Sequence, residues 1–373
     1  MSTQYRWSKE QAYFAASNSR MGFHSYYESR FRSRVDRLYC IKGGPGTGKS
    51  TLMRRLAHEG ERRGYRVEYY YCSSDANSLD AVLLFGENDS LGVLDATPPH
   101  AFEPSLPGVA EEIWDLGQFW NADQLIAHRA TIVHLNTEKA QGYRRAYHYL
   151  AGAGEVADVL RDSIAPCVDA AKLARTVKRL LKGTRAGTHE GRQHIALSDS
   201  IGMSGRVRLD TYLRLGERVC LIEDYGDTAY MLTHALLEAA SGRGANVQVS
   251  YHPVLPDRID ALLLEDDKTV FVVCGAEDAD KLSLHVPHAR HISMRRMLLP
   301  AALRGVREEV RRACRLRASL MDAAQAALQG VSRAHFELER LYGAAMDFEA
   351  KERYTDALCR RLFSDFDARH TGV

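Results

Sequence analysis

The 373-residue sequence predicts an α/β fold of two tandem lobes, each with three α/β/α layers around a largely parallel sheet. Three observations predict this fold. A short apolar strand, a glycine-rich turn and an amphipathic helix follow one another in the first half. Apolar strands then alternate with helical stretches, which is typical of parallel sheets. Finally, much of the first half recurs in weakened form, as Cys40 and Cys220 show (220 − 40 = 180).

The glycine-rich turn fits the pattern G-x-x-x-x-G-K-[ST] at every fixed position. Residues 38–41 before it form a predicted buried strand, and residues 52–57 after it open a helix. Backbone N–H groups at a helix N-terminus lack intrahelical partners and bind anions, while glycines permit the positive φ of the loop. The pattern therefore predicts a P-loop that binds ATP through Gly43, Gly44, Pro45, Gly46, Thr47, Gly48, Lys49, Ser50 and Thr51.

Two side chains of this loop carry the chemistry that a P-loop requires. Lys49 is expected to reach the β- and γ-phosphates, and the Ser50 hydroxyl is expected to ligate Mg²⁺. ATP is favoured over GTP, because residues 136–139 match the guanine-recognising segment Asn-Lys-x-Asp poorly. The predicted cofactors are ATP and Mg²⁺.

The other elements of the first half follow from periodicity and turn residues. Ser8 and Gln11 stand in capping-box positions, which predicts a helix over residues 8–18. Apolar and aromatic runs predict strands over residues 67–72, 81–85 and 91–94. A helical pattern runs from residue 110 to about residue 182, with an interruption at Pro166.

The second half repeats the first at a constant offset over a strand, a loop, a helix and a further strand. Gly46 falls on Gly226 and Val67 falls on Val247 without a gap. This pattern predicts a tandem duplication, with one lobe over residues 1–184 and another over residues 185–373. Residues 183–188 form the predicted linker, and each lobe ends in a helical arm, the second from about residue 300 to residue 363.

The second lobe is predicted to be degenerate. At the repeated positions Lys49 becomes Ala229 and Ser50 becomes Tyr230. Asp224 also stands in this loop, where its charge would repel a triphosphate. We therefore expect a single active nucleotide site, in the first lobe. Arg243 and Arg258 of the second lobe are candidates for a transition-state arginine, and the sequence does not choose between them.

The duplication ranks the acidic residues, because residues that serve nucleotide chemistry should vanish together with Lys49. Asp95 ends an apolar run in the form of a Walker B strand and is lost in the second half. It is predicted to hold Mg²⁺ or to polarise the nucleophile; the alternative is a strand-ending turn with Thr97. Asp75, also lost, is either a catalytic base or substrate-binding acid, or a residue of an Asx-turn in the loop.

Two further polar residues survive in both halves. Asp80 is therefore predicted to be structural, as a cap or turn partner. His100 is either a sensor of the γ-phosphate or a structural residue, and both alternatives stay open. Glu111 and Glu112 are read as the acidic first turn of a helix rather than as a catalytic base.

Composition narrows the functional classes. The net charge of +2 argues against a strongly basic nucleic-acid surface, and the basic stretch over residues 306–317 is predicted to be a solvated helix face. The seven cysteines are scattered without disulfide or zinc-ligand spacing, which is typical of a reducing compartment. No apolar run approaches the ~18 residues of a membrane span, and the N-terminus lacks an apolar signal core. We expect a cytoplasmic protein without a membrane partner; an oligomer is compatible with the sequence.

The chain resembles an uncharacterised bacterial family of tandem P-loop NTPases, usually described as ATP-binding proteins, ATPases or predicted nucleotide kinases. The resemblance rests on residues 43–52, 72–80 and 95–100 and extends over nearly the whole chain. It implies the fold and ATP binding but no substrate. Members commonly carry a recognisable P-loop in the second half as well, and this sequence departs from that pattern.

Three functions follow as hypotheses. The first is an ATPase or a kinase-like phosphotransferase that acts on an unknown small-molecule or protein acceptor. The second is a non-catalytic, nucleotide-gated interaction module whose degenerate lobe and helical arms bind a partner. The third and weakest is a nucleic-acid-stimulated ATPase.

Overall fold

The computed structural model describes residues 3–100, 102–185, 187 and 191–370, with the backbone alone for residues 365–370. Ala186 and Thr188 of the predicted linker lie outside this description. The strands are β1 (Thr3–Arg6), β2 (Gln11–Phe14), β3 (Ala16–Ser19), β4 (Gly22–Ser25), β5 (Arg37–Lys42), β6 (Arg66–Tyr71), β7 (Leu79–Phe85), β8 (Ser90–Asp95), β9 (Glu111–Asp115), β10 (Gln193–Ile195), β11 (Asp199–Gly202), β12 (Gly205–Leu209), β13 (Arg218–Glu223), β14 (Val247–Tyr251), β15 (Ile259–Leu264), β16 (Thr269–Cys274) and β17 (Arg290–Ser293).

The helices connect and follow these strands. The α-helices are α1 (Tyr27–Phe31), α2 (Lys49–Arg62), α3 (Ala122–Ala127), α4 (Arg129–Ile164), α5 (Ala170–Leu180), α6 (Thr211–Leu215), α7 (Ala229–Ser241), α8 (Ala276–His285), α9 (Pro300–Ala344) and α10 (Phe348–His370). Short 3₁₀ helices cover Gly117–Phe119, Ala165–Cys167, Glu265–Asp267 and Met294–Met297.

Contacts between residues divide the chain into two compact units that interleave along the sequence. Unit one holds the segment up to Arg30, Ser73–Ala76 and Arg144–Gln329. Unit two holds Phe31–Cys72, Asn77–Tyr143 and the chain from Gly330 onward. The sequence-based prediction, in contrast, divides the chain once, between residues 184 and 185. Each unit therefore combines the main sheet from one half of the sequence with a helical segment from the other half.

The sheet of unit two confirms the predicted α/β fold with largely parallel strands. Its strands lie in the order β6-β7-β8-β5-β9. Strand β5 runs parallel to β8 and β9, whereas β7 runs antiparallel to both of its neighbours. Helix α2 packs on this sheet through Leu52, Met53 and Leu56, which are buried, so the helix that follows the glycine-rich turn is fixed against the strands.

Unit one contains a sheet with a corresponding strand order, β10-β14-β15-β16-β13-β17. Unit one also contains a three-stranded sheet, β1-β12-β11, the hairpin β3-β4 and strand β2. A register shift falls between Tyr70 and Tyr71 where β6 pairs with β7, and a second falls between Ser250 and Tyr251 where β14 pairs with β15. Both irregularities stand at the offset of the sequence repeat, so the repeat in sequence is also a repeat in backbone structure.

The predicted helix over residues 8–18 is wrong. This segment forms β2 and β3, and Ser8 accepts a hydrogen bond from the N–H of Glu10 instead of capping a helix. Tyr13 and Phe14 are fully buried, and the whole of β3 is buried as well. The segment is thus buried from Ala12 onward, and a strand buried on both faces lacks the alternating pattern that identifies strands in a sequence.

The predicted helix start at residue 110 is also wrong, because Glu111–Asp115 is strand β9 beside β5. Glu111 is buried, accepts hydrogen bonds from the N–H groups of Ser105 and Leu106, and pairs with Arg32. Burial alone would raise the pKa of Glu111, but the two backbone N–H groups and Arg32 outweigh it and lower the pKa. Glu111 is thus a structural anion rather than a helix-terminal one.

The later helical predictions are confirmed. Helices α4 and α5 follow the predicted pattern and are separated by a 3₁₀ helix that contains Pro166. Helices α9 and α10 fill the predicted helical stretch after residue 300. Among the described residues, no helix is both long enough and apolar enough to cross a membrane.

Candidate nucleotide-binding site

The glycine-rich loop of unit two connects β5, which ends at Lys42, to α2, which begins at Lys49. Strand β8 runs parallel beside β5, and Asp95 at its end stands opposite Ile41. The carboxyl ends of parallel strands meet at one edge of a sheet, which is where ligands bind in open α/β folds. The Nζ of Lys49 accordingly lies 3.5 Å from Oδ2 of Asp95.

The ammonium of Lys49 lies inside the loop. It donates hydrogen bonds to the carbonyl oxygens of Gly43 at 2.9 Å and Gly44 at 2.7 Å. The side chains of Lys49 and Asp95 are only 12% and 13% exposed, so solvent and salt screen their attraction less than they screen a surface pair. The structure therefore brings together a cation, a carboxylate and a glycine-rich helix N-terminus, a combination suited to binding phosphate and a divalent cation.

The contacts of Asp95 agree with both interpretations of the sequence, as a turn residue and as a residue of the candidate site. Its Oδ1 accepts a hydrogen bond of 2.8 Å from the N–H of Thr97, as a strand-ending turn requires. Its other oxygen, Oδ2, faces Lys49. The hydroxyl of Thr97 donates to the carbonyl of Gly43 at 2.8 Å, which ties the Asp95 turn to the loop. One carboxylate oxygen is thus structural and the other points to the candidate site.

Ser50 is in the first turn of α2, and its Oγ accepts a hydrogen bond of 2.9 Å from the N–H of Leu79. This bond fixes the hydroxyl between the loop helix and the start of β7. Asp75, in contrast, belongs to the short segment Ser73–Ala76 of unit one, whereas Lys49 and Asp95 belong to unit two. The structure does not place Asp75 in the same compact unit as the loop.

His100 and Asp80 form a buried pair in unit two. The Nε2 of His100 lies 3.2 Å from Oδ2 of Asp80, and both side chains are 8% exposed. Cys72 joins them, since one potential ligand atom from each of the three residues lies within 4.8 Å of the others. Sequence reasoning missed this cluster, because its members are separated in the chain and match no metal-binding spacing.

Helices α9 and α10 contact the glycine-rich loop within unit two. A Cβ built on Gly46, whose φ is +69°, would overlap the backbone carbonyl of Glu339 in α9. A Cβ on Gly48 would lie 3.1 Å from the Nζ of Lys351 in α10. Lys351 is almost fully buried and pairs with Glu352 at 2.7 Å. The loop is thus backed by helices and not only by its own sheet.

Sequence reasoning also missed two lysines near the loop, Lys351 and Lys139. Burial lowers the pKa of Lys139, and the positive charge of Lys49 lowers it further against the opposing effect of Glu339. Lys49 is therefore close enough to Lys139 for the two ammonium groups to interact. Both missed residues lie on long helices among many other charged residues, and no local signal in the sequence distinguishes them.

Substituting Gly46 by alanine is expected to destabilise the protein by about 2–5 kcal/mol. A residue with a side chain in the left-handed region costs about 1–2 kcal/mol, and overpacking against Glu339 adds about 1–3 kcal/mol. Gly226→Ala is the matched control, because Gly226 has a similar φ of +64° and its Cβ would meet only the end of the Ile164 side chain. Urea denaturation of both variants measures the difference; an equal loss would contradict the role of α9.

In the corresponding loop of unit one, a side-chain carboxylate accepts hydrogen bonds from backbone N–H groups. The carboxylate of Asp224 accepts hydrogen bonds from the N–H groups of Ala229 at 2.8 Å and Asp227 at 2.9 Å, at the N-terminus of α7. Asp227 in turn pairs with Arg258 and lies 3.4 Å from Arg317. Burial raises the pKa of Asp224. The donors that a phosphate would use at this helix end are therefore already engaged.

The two arginines that the sequence offered as transition-state candidates have partners within unit one. Arg258 pairs with Asp227 and lines a cavity of about 190 Å³ beside the Asp224 loop. Arg243 donates a hydrogen bond of 3.0 Å to the carbonyl of Leu181. The contacts of both residues thus explain their presence in the fold of unit one.

Comparison with known protein families gives one match. A family model described as Nephrocystin 3, N-terminal, matches residues 23–84, which span most of β4, α1, β5, the glycine-rich loop, α2, β6 and most of β7. Comparison with curated proteins and with solved structures gives no match. The chain is therefore similar to this family over β5, the glycine-rich loop and α2, whereas Asp95 lies outside the matched residues.

Proposed function

We propose that this chain is a Mg-ATP-binding P-loop protein that hydrolyses ATP or transfers its γ-phosphoryl group, with a single nucleotide site in unit two. The observation that carries the proposal is the Lys49 ammonium, held inside the glycine-rich loop 3.5 Å from the Asp95 carboxylate. The similarity to the Nephrocystin 3 family model covers this loop, and the resemblance to bacterial tandem P-loop NTPases agrees with it.

Each residue of the site has a defined part in the proposed reaction. Lys49 exchanges its hydrogen bonds to the loop carbonyls for bonds to the β- and γ-phosphates and neutralises their charge. Ser50 and Asp95 hold Mg²⁺, and the Oδ2 of Asp95 orients the nucleophile. Positioning and fixed charges in a partly buried site supply most of the rate enhancement. His100 is bonded to Asp80, so it acts on the phosphates only if that pair opens.

The proposal assigns no nucleotide to unit one. Ala229 and Tyr230 replace the lysine and the serine, and the Asp224 carboxylate takes the N–H donors at the start of α7. A triphosphate would have to displace a half-buried carboxylate from these donors, against charge repulsion. Unit one is therefore proposed to have a structural role or to bind a partner.

A second candidate function is a nucleotide-gated interaction module without turnover. The observation that favours it is the contact of α9 and α10 with the loop, through the Glu339 carbonyl behind Gly46 and the Lys351 ammonium beside Gly48. Phosphate that binds the loop would change the charge facing Lys351 and thereby the position of α10. In this case the position of the helices tells a partner protein whether nucleotide is bound in the loop.

Asp95→Asn is expected to lower the ATP turnover rate by about 100-fold or more while the fold persists. The asparagine oxygen can still accept the bond from Thr97, but the group no longer carries the charge that faces Lys49 and Mg²⁺. The measurement is ADP release by the purified chain with Mg-ATP. Asp280→Asn, at an exposed position of α8, is the control and should leave turnover unchanged.

The outcomes separate the two candidate functions. Turnover that depends on Asp95 supports an enzyme, and tight ATP binding without turnover supports the gated module. A wild-type chain that binds no ATP refutes both. Mass spectrometry of metabolite and protein extracts incubated with the chain and ATP then distinguishes a kinase, which yields a phosphorylated acceptor, from an ATPase.

We also propose that the protein acts in the cytoplasm. Its seven cysteines, all within the described residues, are free thiols, which fits a reducing compartment.

A further inference from the structure

We propose that Cys72, Asp80 and His100 form a binding site for a divalent transition-metal ion, of which Zn²⁺ fits the ligand set best. This site is separate from the Mg²⁺ site assigned to Ser50 and Asp95. It does not depend on the proposed function, because its ligands and its test involve no nucleotide.

The fold brings the three residues to one edge of the unit-two sheet. Cys72 directly follows β6, Asp80 is the second residue of β7, and His100 lies in the turn after β8. Because β7 runs antiparallel to both β6 and β8, its start lies at the same edge as the ends of the other two strands. Three neighbouring strands thus bring the three ligands to the same edge of the sheet.

Backbone hydrogen bonds hold the two ligands that lie outside the strands. The N–H of Cys72 donates to the carbonyl of Ser78 at 2.9 Å, which closes the connection between β6 and β7. The N–H of His100 donates to the carbonyl of Thr97 at 2.9 Å, which closes the turn after β8. Ligands on such fixed backbone lose little conformational entropy when an ion binds.

The distances suit a small ion. One ligand atom from each residue lies within 4.8 Å of the other two, and the His100–Asp80 distance is 3.2 Å. Tetrahedral zinc with bonds of about 2.0–2.3 Å separates its ligand atoms by roughly 3.4–3.8 Å. Side-chain rotations that move the more distant atoms by about 1 Å therefore complete the geometry. Asp80 and His100 are buried, whereas Cys72 is half-buried and leaves a route for the ion to enter.

The ligand types select the class of ion. A thiolate, an imidazole and a carboxylate form a borderline-soft set that favours Zn²⁺ and related transition metals over Mg²⁺ and Ca²⁺, which prefer oxygen ligands. Three protein ligands leave a fourth position for water or a substrate atom, as in catalytic rather than structural zinc sites.

The repeat in unit one supplies an internal comparison. The positions equivalent to Cys72, Asp80 and His100 are His252, Asp260 and His288. There the carboxylate of Asp260 pairs with Arg208 and lies 3.4 Å from Arg206, so guanidinium groups neutralise it. His252 accepts hydrogen bonds from backbone N–H groups, and His288 is exposed. In unit two the residues near the corresponding acid are a thiol and an imidazole, and both are potential ligands of a transition-metal ion.

The test uses Co²⁺ as a spectroscopic substitute for Zn²⁺ on the full chain after treatment with a chelator. We expect one equivalent of Co²⁺ to produce the intense near-ultraviolet charge-transfer band of a cobalt–thiolate bond. Cys72→Ser should abolish this band, and Cys359→Ser, at another partly buried thiol, should keep it. A wild-type chain without the band, or a band that survives in Cys72→Ser, overturns the proposal.

Zinc affinity tests the other two ligands. Competition with a chromophoric chelator should show at least tenfold weaker Zn²⁺ binding for His100→Ala and for Asp80→Asn, the lower end of the range for altered metal sites. Circular dichroism of each variant verifies that it is folded, and an unchanged affinity in a folded variant would remove that residue from the site. Lys49→Ala should retain full Zn²⁺ and Co²⁺ binding. A failure of the ATP proposal and a failure of the metal proposal thus give different results.

Discussion

Replacing Lys49 with alanine is expected to abolish ATP turnover while unit two remains folded. The substitution removes the ammonium that lies between the carbonyls of Gly43 and Gly44 and the Oδ2 of Asp95. Loss of one preorganised charge at a transferring phosphoryl group costs about 10²–10³ in rate, and the bare Asp95 carboxylate would additionally repel the phosphates. Stability should change little, because the Lys49 ammonium bonds to the polar backbone of the loop and takes no part in the packing of the apolar core.

The measurements for this variant are ADP release with Mg-ATP and thermal unfolding followed by circular dichroism. Lys268→Ala is the control, since Lys268 forms an exposed pair with Glu217 at 2.8 Å and should affect neither property. Turnover by Lys49→Ala at the wild-type rate would refute the assignment of the site.

Replacing Asp199 with alanine is expected to destabilise the protein by about 3–5 kcal/mol. Asp199 is fully buried in unit one and accepts hydrogen bonds of 2.9 Å from both Arg206 and Arg208. The two arginines share a second carboxylate, Asp260, so the cluster has two positive and two negative charges. Burial alone would lower the pKa of Arg208, but Asp260 and Asp199 outweigh it and raise the pKa well above its ordinary value. Without Asp199, two guanidinium groups face one carboxylate at a largely buried site.

Urea denaturation of Asp199→Ala measures this loss. Glu349→Ala serves as the control, because Glu349 pairs with Arg353 at 3.0 Å on an exposed helix face, where such pairs contribute about 0.3–0.5 kcal/mol. A destabilisation of Asp199→Ala as small as that of the control would contradict the role of the buried cluster.

Much of the fold could be predicted from the sequence, because local signals agreed with the tertiary structure. The strand before the glycine-rich turn, the helix after it and strands β6, β7 and β8 appeared near their predicted positions. The predictions failed where burial or pairing outweighed local pattern. Nearly all residues of β2 and β3 are buried, so these strands show no alternation of polar and apolar residues. The acidic start of β9 resembles the first turn of a helix in sequence, but in the structure Glu111 binds Arg32 and backbone N–H groups.

The candidate site could be predicted only as far as its local motifs extend. The loop motif identifies Lys49 and Ser50 as site residues, and the position of Asp95 at the end of an apolar strand identifies Asp95. Lys139 approaches the loop from α4 and Lys351 from α10, and such approaches depend on packing that no short pattern encodes. The cluster of Cys72, Asp80 and His100 likewise depends on the strand order, since β7 and the segments that follow β6 and β8 each supply one ligand.

The backing of the loop by α9 and α10 has a consequence for synthesis of the chain. Glu339 and Lys351, which lie behind Gly46 and Gly48, leave the ribosome about 300 residues after the glycine-rich loop (339 − 46 = 293; 351 − 48 = 303). A nascent chain therefore displays the phosphate-binding motif long before its supporting helices exist. Under the proposed function, we therefore expect nucleotide binding only after α10 has been translated, so that incomplete chains would not sequester ATP.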